Sequence, residues 1–280
     1  MKRILTVILI ALLLVPTTFA LVGCDRYDYT VTASVTPHAI ILRQVQPILR
    51  EQGFRFRIAE QGWELQNDVV RDGDAIANFF QHRPFLDNWN ADNSGADLVP
   101  VFGTHFEPLN IIPGGRANSD SLQEIIAQAS TATPANRRLI IPADATNGLR
   151  ALELLEYHNV VTFVGGNAPR TNNVAHWDSY FEIYPIAAGA LVGARPDALL
   201  SVINGNWAVQ GNILDYRIEF ETPEQGAEFT NFIVVREENR NHPFVVALVN
   251  ALNTTQIRSF ISNHDAFGGA LTSHPINLLN

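Results

Sequence analysis

Short apolar runs alternate with segments of helical periodicity along most of this 280-residue chain, and this alternation constrains the fold more than any other feature. Strands are predicted at residues 29–35, 54–59, 98–102, 139–141, 160–164, 181–184, 199–203, 216–220 and 229–235. Helices are predicted at residues 37–51, 74–90, 121–129, 146–157, 186–192, 243–252 and 254–263. Strands that alternate with helices indicate an α/β fold, with parallel sheets covered by helices on both faces. The length permits one large domain or two of moderate size.

The N-terminal segment has the pattern of a secretory signal. Two basic residues precede a nearly continuous apolar stretch at residues 4–20, which fits a signal peptide better than a membrane span. The stretch is followed by Gly23 and by Cys24, the only cysteine of the chain. This ending is similar to a bacterial lipobox, so we predict a signal peptide at residues 1–23, lipidation of Cys24 and a tether at residues 24–28. The alternative is an ordinary signal peptide followed by an incidental cysteine.

Composition and motifs exclude several classes of function. The chain has 28 acidic and 19 basic residues and a net charge of -9, whereas phosphate recognition needs clustered Lys and Arg. Lys2 is the only lysine, which excludes a Walker phosphate loop and Schiff-base catalysis in the folded body. The sequence contains no Gly-x-Ser-x-Gly, His-Glu-x-x-His, Cys-x-x-Cys or Gly-x-Gly-x-x-Gly motif. We therefore expect no enzyme, no cofactor and no nucleic-acid partner.

Several separated stretches, taken together and in order, resemble the NlpA/MetQ lipoproteins, which are the substrate-binding components of methionine ABC importers. The most specific stretch is residues 74–87, with the sequence DAIANFFQHRPFLD. The others are residues 36–39 (TPHA), 105–108 (HFEP), 141–152 (IPADATNGLRAL), 202–208 (VINGNWA) and 230–237 (TNFIVVRE). Their order and spacing extend from about Tyr29 to the C-terminus.

The resemblance implies an α/β, two-lobed periplasmic-binding-protein fold with two interdomain crossings. Lobe one would comprise residues 29–111 and 228–280, and lobe two would comprise residues 112–227. The ligand would lie in the cleft between the lobes, where strand ends and helix starts of open α/β sheets meet.

Three polar residues are candidates for binding a free amino acid. Arg150 matches the arginine that binds the ligand in the family, and a planar guanidinium can donate two parallel hydrogen bonds to a carboxylate. Asn204 and Asn231 match the polar ligand contacts of the family, because an amide can accept from an ammonium and donate to a carboxylate. Without the resemblance, Arg150 would be read as a surface residue of an amphipathic helix, and the asparagines as turn or strand-end residues.

The resemblance places Trp63, Phe80 and His82 in the apolar part of the pocket. Aromatic rings suit a polarizable thioether, and His82 can add a hydrogen bond to the ligand backbone. Trp63 stands where relatives usually have tyrosine, which leaves the identity of the ligand open. The alternatives are ordinary core packing for Phe80 and a helix-start role for His82. We predict structural roles for His38 and His105.

The function implied is that of a lipid-anchored solute-binding protein facing the periplasm or the cell exterior. It would capture L-methionine, D-methionine, a methionine dipeptide or a related molecule and deliver it to an ABC permease with its ATPase subunits. One alternative is the metal-binding lipoprotein of a zinc or manganese importer, using His38, His82 and His105. Another is a surface adhesin or sensor that keeps the fold, in which case replacement of Arg150 by alanine would leave function unchanged.

Overall fold

The computed structural model describes residues 27–279. The predicted signal peptide and Cys24 lie outside this described range, as does the start of the predicted tether. Within the range, no helix combines the length and the apolar character that crossing a bilayer requires.

The described chain is a mixed α/β structure. The strands are β1 (Tyr29–Ala33), β2 (Phe56–Glu60), β3 (Ala77–His82), β4 (Leu98–Phe106), β5 (Leu109–Pro113), β6 (Arg138–Pro142), β7 (Thr162–Phe163), β8 (Trp177–Asp178), β9 (Glu182–Ile186), β10 (Leu200–Asn204), β11 (Glu219–Phe220), β12 (Thr230–Arg236) and β13 (Thr272–Asn277). The α-helices are α1 (Ile40–Glu51), α2 (Trp63–Arg71), α3 (Arg83–Asp92), α4 (Leu122–Thr131), α5 (Ala145–Tyr157), α6 (Leu191–Ala194), α7 (Gly205–Gln210), α8 (Pro243–Leu252) and α9 (Thr255–Asn263).

The strands form two large sheets and one small pair. The first sheet has the order β13-β4-β12-β3-β1-β2, and the second has the order β11-β5-β10-β6-β9. Strands β1, β2 and β3 are parallel, as are β6, β9 and β10, but β12 is antiparallel to β3 and β4, and β5 is antiparallel to β10 and β11. The prediction of parallel sheets is therefore wrong for the strands that flank the connections between the sheets, and both sheets are mixed.

Two connections join the sheets. The chain leaves the first sheet after Phe106 and enters the second at Leu109, and it returns between Phe220 and Thr230. Because β5 belongs wholly to the second sheet, the first crossing lies slightly earlier than the boundary at residue 111 that we expected from the sequence. The two connections run side by side, since the backbone N–H of Glu221 donates to the carbonyl of Leu109 over 3.1 Å.

The segment at residues 74–90 differs from its prediction as one helix. Residues 77–82 form β3, all six of them buried between β1 and β12, and the helix begins only at Arg83. Consecutive strand residues face opposite sides of a sheet, so Phe79 packs in the core while Phe80 lines the cavity described below. The sequence analysis also missed α2, β5, α7 and β13, whereas the helix predicted at residues 243–252 has the observed bounds.

The apolar cores of the two halves are connected. One buried cluster holds Phe79 and Phe244 of the first half together with Ile112 and Ile203 of the second. A separate cluster, which includes Leu152, fills the opposite side of the second sheet. Burial of a large apolar side chain stabilises a fold by about 1.5–3 kcal/mol, so this shared cluster stabilises the juxtaposition of the halves as well as each half.

Candidate ligand-binding site

A cavity lies between the two sheets, which we call the interlobe cavity. It is lined by Trp63, Phe80, Gln81, His82, Phe85, Glu107, Asn147, Arg150, Asn204, Asn206 and Asn231. All six ligand-binding residues predicted from the sequence line it, and the other five were not among those predictions.

Strand ends and helix starts supply most of the lining. His82 ends β3 and Asn204 ends β10, while Trp63 is the first residue of α2 and Arg150 lies in the second turn of α5. The N-terminus of α5 is fixed by Asp144, whose carboxylate accepts the backbone N–H of Asn147 over 2.8 Å and so caps the helix. This geometry brings side chains distant in sequence to one place.

Arg150 is buried, with 4% of its surface exposed, and most of its N–H groups are engaged by the protein itself. Its Nε donates to both carboxylate oxygens of Glu221, over 2.8 and 3.1 Å, and its Nη2 donates to Glu221 over 2.5 Å. Nη2 also donates to the carbonyl of Glu107 over 2.7 Å. The Nε–Nη2 edge, which could donate two parallel hydrogen bonds to a ligand carboxylate, is thus occupied by an internal carboxylate. Nη1 has the N–H capacity left for a ligand.

The side-chain oxygen of Asn147 accepts hydrogen bonds from three other residues that line the cavity. Its Oδ1 accepts from His82 Nε2 over 3.2 Å, from Asn204 Nδ2 over 3.0 Å and from Arg150 Nη1 over 3.4 Å. It therefore orients three of the predicted site residues at once. Asn147 was not among the site residues predicted from the sequence. Its position one helical turn before Arg150 is the signal that could have found it.

Both ring nitrogens of His82 bond to the protein. Nδ1 accepts the backbone N–H of Phe85 over 3.3 Å, which leaves the proton on Nε2, the donor to Asn147. Burial, followed by the nearby positive charge of Arg150, lowers the pKa of His82 to about 3, so the ring is neutral. The hydrogen bond from His82 to a ligand that we expected from the sequence is not supported, because no ring nitrogen is left for it.

Several buried polar atoms of the lining residues have no hydrogen-bond partner within residues 27–279. They are Asn204 Oδ1, both side-chain polar atoms of Asn206, and Trp63 Nε1. Asn231 differs, since its Oδ1 accepts from His38 Nε2 over 3.0 Å. Buried polar atoms are normally hydrogen-bonded, so these acceptors and donors are available to a polar ligand in the cavity.

Aromatic rings form the apolar wall of the cavity. Phe85 packs edge-on against Phe80, with ring centroids 5.7 Å apart, and against Trp63 at 6.4 Å. Trp63, from the first half, also contacts Trp207 of α7, from the second half, at 5.6 Å. An aromatic contact therefore joins the two halves at Trp63, which lines the cavity.

A buried cluster of His38, His105 and Glu107 lies beside the cavity, with its potential ligand atoms within 4.8 Å of one another. Glu107 Oε1 accepts from His105 Nε2 over 2.7 Å and lies 3.3 Å from His38 Nε2, so the nitrogens that would face a cation already contact the carboxylate. Burial lowers the pKa of His38 to about 4. Burial would raise the pKa of Glu107, but His38 and His105 outweigh it and the pKa lies below its ordinary value. His82 is not in the cluster, so the three-histidine metal site considered from the sequence is not formed.

Two α/β halves joined by two connections, with a polar and aromatic cavity between them, define the fold of the periplasmic substrate-binding proteins. The fold matches the crystal structure of lipoprotein Tp32 from Treponema pallidum with a TM-score of 0.76 and 25% identity, over 88% of this chain and 98% of that one. The NlpA lipoprotein family model matches residues 29–273, and the chain belongs to that family, as the sequence resemblance predicted.

Two curated relatives agree with this assignment. Membrane lipoprotein TpN32 of Treponema pallidum is 27% identical over 261 residues, which cover 89% of this chain and 90% of the relative. Methionine-binding lipoprotein MetQ of Bacillus subtilis is 25% identical over 246 residues, which cover 84% and 85%. The family consists of substrate-binding lipoproteins of transporters and not of enzymes.

Proposed function

We propose that this protein is a lipid-anchored extracytoplasmic solute-binding protein that captures methionine or a close relative in the interlobe cavity and delivers it to an ABC permease with its ATPase subunits. The observation that carries the proposal is the set of unpaired amide atoms of Asn204 and Asn206 beside Arg150, opposite an aromatic wall. The name of the Bacillus subtilis relative, a methionine-binding lipoprotein, supports the same ligand.

The polar atoms match the head of an amino acid. The unpaired oxygens of Asn204 and Asn206 are acceptors for an ammonium, and the unpaired amide nitrogen of Asn206 is a donor for a carboxylate. Arg150 Nη1 adds a positively charged donor to the same cavity. A zwitterionic head satisfies acceptors and donors together, which an amine or an acid alone does not.

Contacts between the halves indicate how binding couples to closure. His82 Nε2 of the first half donates to Asn147 of the second, and Asn88 Nδ2 donates to Thr146 Oγ1 over 2.8 Å. A ligand that contacts both halves favours the closed form by its difference in affinity for the open and closed forms. The closed form is then the one offered to the permease.

Titration calorimetry on the detergent-solubilised full chain tests the ligand. We expect L-methionine, D-methionine or a methionine dipeptide to release measurable heat at one site per chain. Norleucine, which replaces the sulfur by a methylene, is the matched control and should bind the same site about 2- to 10-fold more weakly, because sulfur–aromatic contacts contribute about 0.3–1.5 kcal/mol. Absence of heat with all of the methionine compounds would contradict the proposal.

The lipid anchor gives a second expected result. Cells grown with an alkyne-labelled fatty acid should yield labelled protein from the unaltered chain and unlabelled protein from Cys24→Ala. Lipid chains stabilise membrane attachment by about 0.8 kcal/mol per buried CH₂, so several chains on one residue make a stable anchor. Since Cys24 is the only cysteine of the sequence, an unlabelled unaltered chain, or equal label in the Cys24→Ala variant, would show that the assignment is wrong.

A further inference from the structure

Glu221 holds Arg150 in place and is not among the residues that line the interlobe cavity. Its carboxylate accepts from Arg150 Nε and Nη2 and from the backbone N–H of Leu109 over 2.7 Å, and both charged side chains are about 95% buried. Three N–H donors converge on one carboxylate, and the guanidinium fork is engaged along a full edge. This is the geometry of a strong charge-assisted pair.

The pair is located at the two connections between the halves. Glu221 directly follows β11 on the second connection, and Leu109 starts β5 at the end of the first. Arg150 Nη2 also donates to the carbonyl of Glu107 on the first connection. The guanidinium that lines the interlobe cavity is therefore fixed to both connections. Glu221, which lies on the second connection, bonds to α5 through Arg150 and to the end of the first connection through Leu109.

The pair also changes what a ligand carboxylate encounters. The positive charge of Arg150 is already balanced by Glu221, and the Nη1 nitrogen has the N–H capacity left for the cavity. Arg150 also attracts the carboxylate of Glu107, which lines the same cavity and whose pKa is lowered. A ligand carboxylate would thus be a further anion near one cation, and its charge would gain little over the neutral carbonyl of an amide. If the charge of Glu221 were removed, the ligand carboxylate would become the counter-ion of a buried guanidinium.

We propose that Glu221 is a positioning residue that sets how strongly the site discriminates a carboxylate from a neutral carbonyl at the head of the ligand. The inference rests on the proposed function, because it assumes an amino-acid ligand with its carboxyl group toward Arg150. In the unaltered protein this discrimination is weak, so the site accepts amides of its amino acid as well as the free acid.

The experiment compares L-methionine with L-methioninamide by calorimetry on the detergent-solubilised full chain, at one pH, and uses the ratio of their dissociation constants. In the unaltered protein we expect the amide to bind within about 100-fold of the acid, far from the 10⁴-fold or greater rejection shown by sites built around one polar group. A larger ratio in the unaltered protein overturns the inference without any substitution.

Variants of the same segment complete the test. Glu221→Gln keeps the shape and removes the charge, and we expect it to increase the ratio at least tenfold. Glu221→Asp keeps the charge and should restore a ratio close to that of the unaltered protein. Glu228→Gln removes an exposed carboxylate on the same connection and is the matched control, with an unchanged ratio.

A purely structural role for Glu221 predicts a different pattern. In that case Glu221→Gln weakens binding of acid and amide equally and the ratio stays constant, which overturns the inference. Binding of neither compound by the unaltered protein overturns the proposed function and the inference together. The two failures are distinguishable, because the unaltered chain still binds methionine when only the inference fails, whereas it binds neither compound when the proposed function fails.

Discussion

Replacement of Arg150 by alanine is expected to lower methionine affinity about 10- to 100-fold and to lower the free energy of unfolding by about 3–5 kcal/mol. The affinity falls because a charged donor is removed from the cavity, and hydrogen bonds to charged groups contribute about 1.5–3 kcal/mol. The stability falls because Glu221, with 5% of its surface exposed, is left as a buried carboxylate without its cation. Calorimetry and urea denaturation followed by fluorescence measure the two effects.

Two further variants separate binding from stability. The double variant Arg150→Met with Glu221→Leu removes both charges, so most of the stability should return while the affinity stays low. Arg116→Ala, at an exposed arginine 3.7 Å from Asp197, is the matched control and should change stability by less than about 1 kcal/mol. Unchanged function in Arg150→Ala would instead favour the adhesin or sensor interpretation.

The free energy of unfolding is expected to fall by roughly 4 kcal/mol between pH 7.5 and pH 5. His38 and His82 have folded pKa values of about 4 and about 3, below the ordinary value of 6.5. Below pH 6.5 the unfolded chain binds protons that the folded chain excludes, so stability decreases as the pH falls toward the folded pKa values. Each histidine contributes about 1.4 kcal/mol per pH unit over this window, or about 2 kcal/mol at pH 5.

Single substitutions test which residues carry this pH dependence. His38→Gln and His82→Gln should each remove about half of the change in the free energy of unfolding between pH 7.5 and pH 5, and together nearly all of it. Glu107, whose pKa is also lowered, adds a loss in the same direction below its ordinary value of 4.5. Equal unfolding free energies at pH 7.5 and pH 5 in the unaltered chain would show that the two rings are protonated in the folded state.

The predictability of the fold from sequence depended on whether local pattern and tertiary environment agreed. The helix at Pro243–Leu252 begins with a proline and has a continuous apolar sequence, and its bounds were predicted correctly. The apolar residues around Phe79 and Phe80 are spaced as on the buried face of a helix. The segment is nevertheless a strand, because it pairs with β1 on one side and with β12 on the other. Tertiary hydrogen bonds of this kind are invisible to local periodicity.

In the candidate site, too, the sequence identified individual residues but not the tertiary contacts between them. The family resemblance selected six residues that line one cavity, but it did not reveal what holds them there. Asn147 and Glu221 were missed because their roles depend on contacts between residues distant in sequence. Asn147 accepts hydrogen bonds from three side chains, and Glu221 bonds to Arg150 from 71 positions away in sequence. For the same reason the sequence could not show that both ring nitrogens of His82 form hydrogen bonds within the protein.

The contact between Trp63 and Trp207 gives the protein a built-in optical signal. The two indoles come from opposite halves and their centroids are 5.6 Å apart, close enough for their excited states to mix. Separation of the halves would uncouple the two chromophores and alter the near-ultraviolet circular dichroism and the emission spectrum. Opening and closing can thus be followed in real time with no attached dye, even for a cargo that has not been identified.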